Sequence, residues 1–183
     1  MIGARWRLLE AADRCFERQG IAATGINELI TEAGVARMSL YNHFASKDDL
    51  VSAWLEGRDR AWADRIRQRL AAVADPEERV LTVVREYARR FRLEGFRGCE
   101  FVNAAAELPE DHPAREVISR HKAGVRALLG GLLAETGVLD PDGAAEAIYL
   151  LCEGAIVTSG IDRDDRAFAA AEASARRILG STG

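Results

Sequence analysis

Apolar residues recur with a period near 3.6 along the whole chain, and no segment alternates with period two for long enough to form a strand, so the pattern predicts an all-α fold of about nine helices. In the first, Leu8, Leu9, Ala12, Cys15 and Phe16 share one face, while Arg7, Asp13, Arg14, Glu17 and Arg18 share the other. Gly20 stands where a helix C-terminus favours glycine, which predicts a helix over residues 3–19. A second, short helix is expected from Gly25 to just before Gly34, with Glu28 placed to cap its first turn and Ile26, Leu29, Ile30 and Ala33 as its buried face. Val35, Leu40 and Phe44 predict a third, very short helix. Ser46 ahead of Lys47, Asp48 and Asp49 is an N-cap followed by acids in the first turn, opening a long amphipathic run through Trp54, Leu55, Trp62, Ile66 and Leu70.

Asp75-Pro76 ends that run and starts a fifth helix carrying Val80, Val83, Val84, Tyr87 and Phe91. The glycine-marked break Gly95-Phe96-Arg97-Gly98 precedes a helix over residues 99–108, and residues 109–113 read as a loop. The remaining helices are expected over residues 114–136, 141–160 and 165–179. The resulting organisation is a three-helix head, residues 1–48, joined by a long helix to a helical body, residues 49–183.

Two short helices joined by the tight turn Ala33-Gly34-Val35 are the sequence form of a helix-turn-helix. The second of them leaves Arg37, Met38, Ser39, Tyr41, Asn42 and His43 free to meet a DNA groove. The alternative is a motif used only for packing, but packing gives no reason to gather Arg37, Asn42 and His43 on one face.

The helix over residues 144–161 has only Glu146 and Glu153 as charges, both on one face, and its other flanks are apolar. A helix apolar on two sides in so small a chain predicts one contact with its own core and one with a second copy. Leu151, Gly154, Ala155, Thr158 and Ser159, with Phe168, Ala171, Ala175 and Ile178 of the last helix, are the candidate four-helix dimer interface. The alternative is a central core helix.

With 48% hydrophobic and 30% charged residues and only 4 prolines in 183 residues, the chain is expected to fold, so disorder is excluded as its main state. Charge-free stretches such as those at residues 127–134 and 154–161 run eight residues, against the ~18 a membrane span needs, so no transmembrane helix is expected. Arg5, Arg7, Glu10 and Asp13 interrupt the place where a signal peptide carries its apolar core, which predicts a cytoplasmic protein. Cys15, Cys99 and Cys152 lack any paired or metal-ligand spacing, so neither a disulfide nor a bound metal is expected.

Net charge is −4, so any contact with nucleic acid must be local. The first fifty residues hold six cations against seven acids. Because phosphate contacts dominate affinity, such a head is expected to bind double-stranded DNA as a dimer and to weaken quickly as salt rises.

In the body, Trp62, Phe91, Phe101 and Tyr149 with the polar pair Asn103 and His121 are candidates to line an apolar effector cavity. No cluster of basic residues for a phosphorylated ligand is apparent there, so the expected effector is a small, largely apolar molecule, and no cofactor is expected. Cys99 falls at an expected helix start, where the helix dipole favours a thiolate, with Asn103 one turn later on the same face. That pair serves a redox sensor, a ligand contact or simple packing, and a free Cys is most often a small buried hydrophobe. A thiol-based enzyme lacks a base, a phosphate loop and a metal constellation. An interaction module without a DNA role is a further alternative.

Ala11-Ala12, Phe16, Gly20, Thr24, Ile26, Ala33-Gly34-Val35, Leu40-Tyr41, His43-Phe44 and Ser46-Lys47 resemble the N-terminal signature of the TetR family of transcriptional regulators. The resemblance implies that Tyr41 and Lys47 hold phosphates while Arg37, Met38, Ser39 and Asn42 face the groove. Ala36 replaces a frequent Ser, and Met38-Ser39 replaces a frequent Gly-Thr. The stretch from Arg97-Gly98-Cys99 through Asn103 and Glu107 to Asp111-His112-Pro113, with Gly154-Ala155-Ile156-Val157-Thr158, is similar to the ligand-binding domain of the LmrA- and YxaF-like branch. Together these imply a homodimeric repressor released from a palindromic operator by a small effector.

Overall fold

The computed structural model describes residues 3–92 and 96–180, and among them it holds nine α-helices and no strand. In chain order these are α1 (Ala4–Gln19), α2 (Ile26–Ala33), α3 (Arg37–His43), α4 (Lys47–Leu70), α5 (Pro76–Phe91), α6 (Glu100–Glu107), α7 (Ala114–Leu133), α8 (Pro141–Asp162) and α9 (Arg166–Leu179). The all-α expectation holds; most helix ends lie within three residues of those read from the pattern, but α4 stops at Leu70, short of the Asp75-Pro76 expected to end it. Gly95, expected to open the break before α6, lies outside the described residues.

The local causes are visible at the helix ends. Asp49 N–H donates to Ser46 Oγ at 3.0 Å, Glu78 N–H to Asp75 Oδ1 at 2.8 Å and Gly143 N–H to Asp140 Oδ1 at 3.0 Å, satisfying backbone donors that a helix start leaves open. Gly34 takes a left-handed φ of 61° and closes α2 through its N–H to Thr31 O, a conformation that favours glycine. Glu28 does not cap α2. Its carboxylate instead accepts from Arg18 at 2.8 Å and Gln19 at 2.7 Å, because two α1 donors reach it.

The chain forms two compact units. The first comprises residues 1–60 and 100–120, the second residues 61–99 and 121–183, so α4 and α7 are each divided between them. In the first unit α1, α2 and α3 pack on one another, burying Leu8, Ala12, Phe16, Leu29 and Leu40, with the Phe16 ring edge-on to Trp54 at 5.1 Å. Polar contacts also join its elements. Arg58 of α4 holds Asp13 and Glu17 of α1 at 3.1 Å each and Glu100 of α6 at 3.0 Å. Trp54 Nε1–H donates to Asp13 at 2.8 Å, and Ala22 N–H donates to Glu107 at 2.7 Å.

In the second unit α5, α8 and α9 pack together around Val80, Val83, Ile148, Cys152, Ile156, Phe168, Ala171, Ala175 and Leu179. Arg85 of α5 bridges Glu78 at 2.7 Å and Glu172 of α9 at 2.9 Å. By length and composition alone α8 is apolar enough to cross a membrane, a test that a helix packed in a core also passes. Its two interior acids, Glu146 and Glu153, divide a run that is otherwise apolar, and the packing of one side against α5 and α9 accounts for that apolarity.

Candidate nucleic-acid interface

The surface of α3 divides sharply. Leu40 is fully buried against α1 and α2, and this anchors the helix so that Arg37, Met38, Tyr41, Asn42 and His43 are exposed and Ser39 is half-buried. Six of the seven residues expected to meet DNA therefore lie on one short helix, and the seventh, Lys47, opens α4. Arg37 Nη1 donates to Asn27 Oδ1 of α2 at 3.1 Å, and the guanidinium lies 5.8 Å from the centre of the Tyr41 ring, a cation–π distance. Arg7 Nη1 donates to Gly34 O at 3.0 Å, which ties α1 to the turn itself.

Lys47, the first residue of α4, donates from Nζ to Ile21 O at 2.6 Å. Burial pulls its pKa down, and the nearby Asp48 and Glu107 carboxylates oppose that fall without cancelling it. This bond ties the first turn of α4 to the α1–α2 connection.

Four of the seven acids in the first fifty residues are paired with arginines at 3.1 Å or less. Arg14 takes Glu32 at 2.6 Å, Arg18 takes Glu28 at 2.8 Å, and Arg58, beyond residue 50, takes Asp13 and Glu17. The helix α3 itself carries no carboxylate.

Of the residues expected around an effector, Trp62, Phe91, Cys99, His121 and Tyr149 belong to the second unit, and Phe101 and Asn103 to the first. Phe101 is buried and Asn103 half-buried. In the second unit Trp62 meets His121 edge-on at 5.3 Å, and His121 is buried. Phe91 contacts Phe96 at 5.3 Å and Phe168 at 5.6 Å, while the Arg126 guanidinium sits 3.9 Å over the Tyr149 ring.

Cys99 belongs to a group that the spacing did not reveal. Lys122 Nζ lies 3.5 Å from Cys99 Sγ and donates to both oxygens of Glu153 at 2.7 Å, and Tyr87 O–H donates to Glu153 at 3.1 Å. Burial pulls the Lys122 ammonium down, but the Cys99 sulfur and Glu153 carboxylate more than offset it, so its pKa ends raised. Burial, with Glu153 beside it, pushes the Tyr87 hydroxyl well up.

Three arginines also converge that the linear sequence does not bring together. Arg65, Arg69 and Arg89 approach the buried Glu86 at 3.3, 2.7 and 3.7 Å and share an open groove with Gln68, Ala72, Val73 and Thr82. They sit on two helices, so their convergence is invisible in a linear reading.

Of the candidate dimer residues, Ala155, Ser159, Phe168, Ala171 and Ala175 are buried within the chain's own fold, Leu151 and Ile178 are half-buried, and Gly154 and Thr158 are exposed. The exposed apolar stripe of α8 is Leu150, Val157 and Ile161, which flank Gly154 at helical spacing. Among the described residues no group of His, Cys, Asp and Glu is placed to hold a metal ion.

A short helix that buries one leucine and turns five side chains outward, after a glycine turn and a buttressing helix, has the form of a helix-turn-helix. Residues 8–54 match the bacterial regulatory proteins of the tetR family. The crystal structure of SCO4454, a TetR-family transcriptional regulator from Streptomyces coelicolor, superposes with a TM-score of 0.91 at 32% identity, covering 98% of this chain and 89% of that one. The HTH-type regulator LmrA of Bacillus subtilis is 27% identical over 161 residues, 85% of this chain and 86% of its own length. With the HTH-type regulator Rv1255c of Mycobacterium tuberculosis, identity is 34% over 86 residues, 47% of this chain and only 43% of that relative. The chain belongs to the TetR family, whose members are transcriptional regulators and not enzymes.

Proposed function

We propose that this chain is a homodimeric, cytoplasmic repressor that binds a near-palindromic operator and releases it when a small, largely apolar molecule occupies the body. Residues 1–48 serve as the DNA-binding head and residues 49–183 as the ligand-binding and dimerisation part. The observation that carries the reading is the α3 surface: Arg37, Met38, Tyr41, Asn42 and His43 are exposed together, with no acid among them and with Arg37 already positioned by Asn27. Arg37 and Asn42 supply base contacts, Tyr41 and Lys47 phosphate contacts. The Leu150, Val157 and Ile161 stripe, with Gly154 and Thr158, supports pairing of two α8 helices.

Within the second unit, Trp62, Phe91, His121 and Tyr149 supply the apolar and polar contacts for the effector. Effector binding shifts DNA affinity only through a preference for one of two states of the dimer. A mobility-shift titration on duplex DNA spanning the protein's own promoter tests this. Retarded bands that vanish with competing specific duplex are expected; no retardation at micromolar protein, in a species that is monomeric by light scattering, overturns it.

A second reading is favoured by one contact, Lys122 Nζ against Cys99 Sγ at 3.5 Å. An ammonium beside a thiol supports the thiolate that peroxide oxidises to a sulfenic acid, making Cys99 the sensor in place of a cavity. Cys99→Ser abolishes peroxide-driven release under this reading and leaves ligand-driven release intact under the first.

A further inference from the structure

We propose that Met38 reads the 5-methyl group of a thymine in each operator half-site. The inference rests on the DNA-binding reading above and assigns it one base. Met38 is the second residue of α3 and is 70% exposed. Each helical residue turns the chain by about 100°, so Met38 stands about 200° from Leu40, on the side opposite the one that Leu40 buries. Asn42, one turn later, shares its face.

Single exposed apolar side chains are ordinary and carry no meaning alone. What sets this one apart is its company. The other exposed residues of α3, namely Arg37, Tyr41, Asn42 and His43, all offer hydrogen-bonding or charged groups, and Met38 is the sole aliphatic among them.

Every polar atom on a base edge loses water when an apolar side chain covers it, and an unpaired buried donor or acceptor is costly. The major groove presents one apolar group, the thymine C5-methyl, and against that group alone an aliphatic side chain gains by contact. An unbranched, polarisable thioether chain also has the reach and the adaptability to find the methyl without a fixed rotamer. Cytosine in the same place offers an N4 donor and no methyl, so Met38 disfavours it.

The test uses the full chain to select its preferred duplex from a random library at fixed salt, after which each thymine is replaced in turn by deoxyuridine. That change removes the methyl and keeps every hydrogen-bonding group. At one thymine per half-site the uracil duplex is expected to bind about three- to tenfold more weakly. In Met38→Ala that ratio is expected to collapse towards one, while Arg37→Ala retains it. Met38 is exposed, so folding of the variant is checked by its unchanged circular dichroism and dimer mass. Equal affinity of wild type for every uracil duplex, or an undiminished uracil penalty in Met38→Ala, overturns the inference and leaves DNA binding standing. Failure to enrich any duplex overturns the DNA-binding reading and this inference with it.

Discussion

Lys122 and Glu153 form a two-pronged ion pair, with Nζ 2.7 Å from each carboxylate oxygen, and the same ammonium reaches Cys99 Sγ at 3.5 Å. One lysine, one of only two in the chain, therefore serves an acid and a thiol at once.

This geometry orders the three thiols by reactivity. Burial pushes Cys152 up to about 12, and burial with Glu28 close by raises Cys15. Iodoacetamide at pH 8 should modify Cys99 ahead of both, as read by peptide mass mapping over time. Lys122→Met should slow that modification, since the ammonium that supports a thiolate is gone. Faster labelling of Cys152 than of Cys99 refutes the ordering.

On DNA, Lys47→Ala should weaken binding to all sequences alike and lower the slope of log affinity against log salt by about one per head. It should also cost about 1 kcal/mol of stability, because Ile21 O loses its partner. Tyr41→Phe should likewise lower affinity without changing sequence preference. Arg37→Ala and Asn42→Ala should relax base preference, measured as a narrowed ratio between specific and competitor duplexes. An unchanged salt slope in Lys47→Ala removes its phosphate role.

The α8 stripe makes a separate prediction. Val157→Asp and Ile161→Asp place charges on exposed apolar positions without disturbing the buried side of the helix. Each should yield a monomer by sedimentation at micromolar concentration and weaken operator binding by about a hundredfold, the benefit of tethering two heads. A dimer of unchanged affinity would place the interface elsewhere.

Acid should loosen the seam between α5 and α9. Side-chain hydrogen bonds from Arg85, backed by Arg176, hold both the Glu78 and Glu172 carboxyls below their ordinary value. A depressed carboxylate pKa contributes stability that is present above the unfolded value of about 4.3 and lost as pH falls through the folded one. Arg85→Met should therefore cost about 1 kcal/mol or less near neutrality, given the exposure of the pairs, and the difference should shrink below about pH 4. Urea denaturation of both proteins from pH 7 to pH 3 checks the sign.

The helices were legible because their punctuation is local. Gly20, Gly34, Ser46, Asp75-Pro76 and Asp140-Pro141 each act within one turn of where they stand, and α3 follows from the spacing of Val35, Leu40 and Phe44. What distance in sequence hides is convergence. Glu28 has the spacing of a cap but lies within reach of Arg18 and Gln19, and Arg65, Arg69 and Arg89 meet only because two helices bring them to Glu86. The acidic balance of the first fifty residues is similarly misleading, since Arg58 lies outside that window and takes up Asp13 and Glu17. Along α8, alanine, glycine and serine look alike on either side of the helix, so the pattern identifies a doubly apolar helix without telling its inner face from its outer one.

Arg37 gives one of its five N–H donors to Asn27 across the turn and lies at cation–π distance from the Tyr41 ring, so the guanidinium is held in place while its other donors stay available. Under the proposed reading, that restraint lowers the ordering cost of a base contact, and residence time on the preferred sequence, rather than the rate of encounter, is the quantity that loss of the Asn27 partner should change.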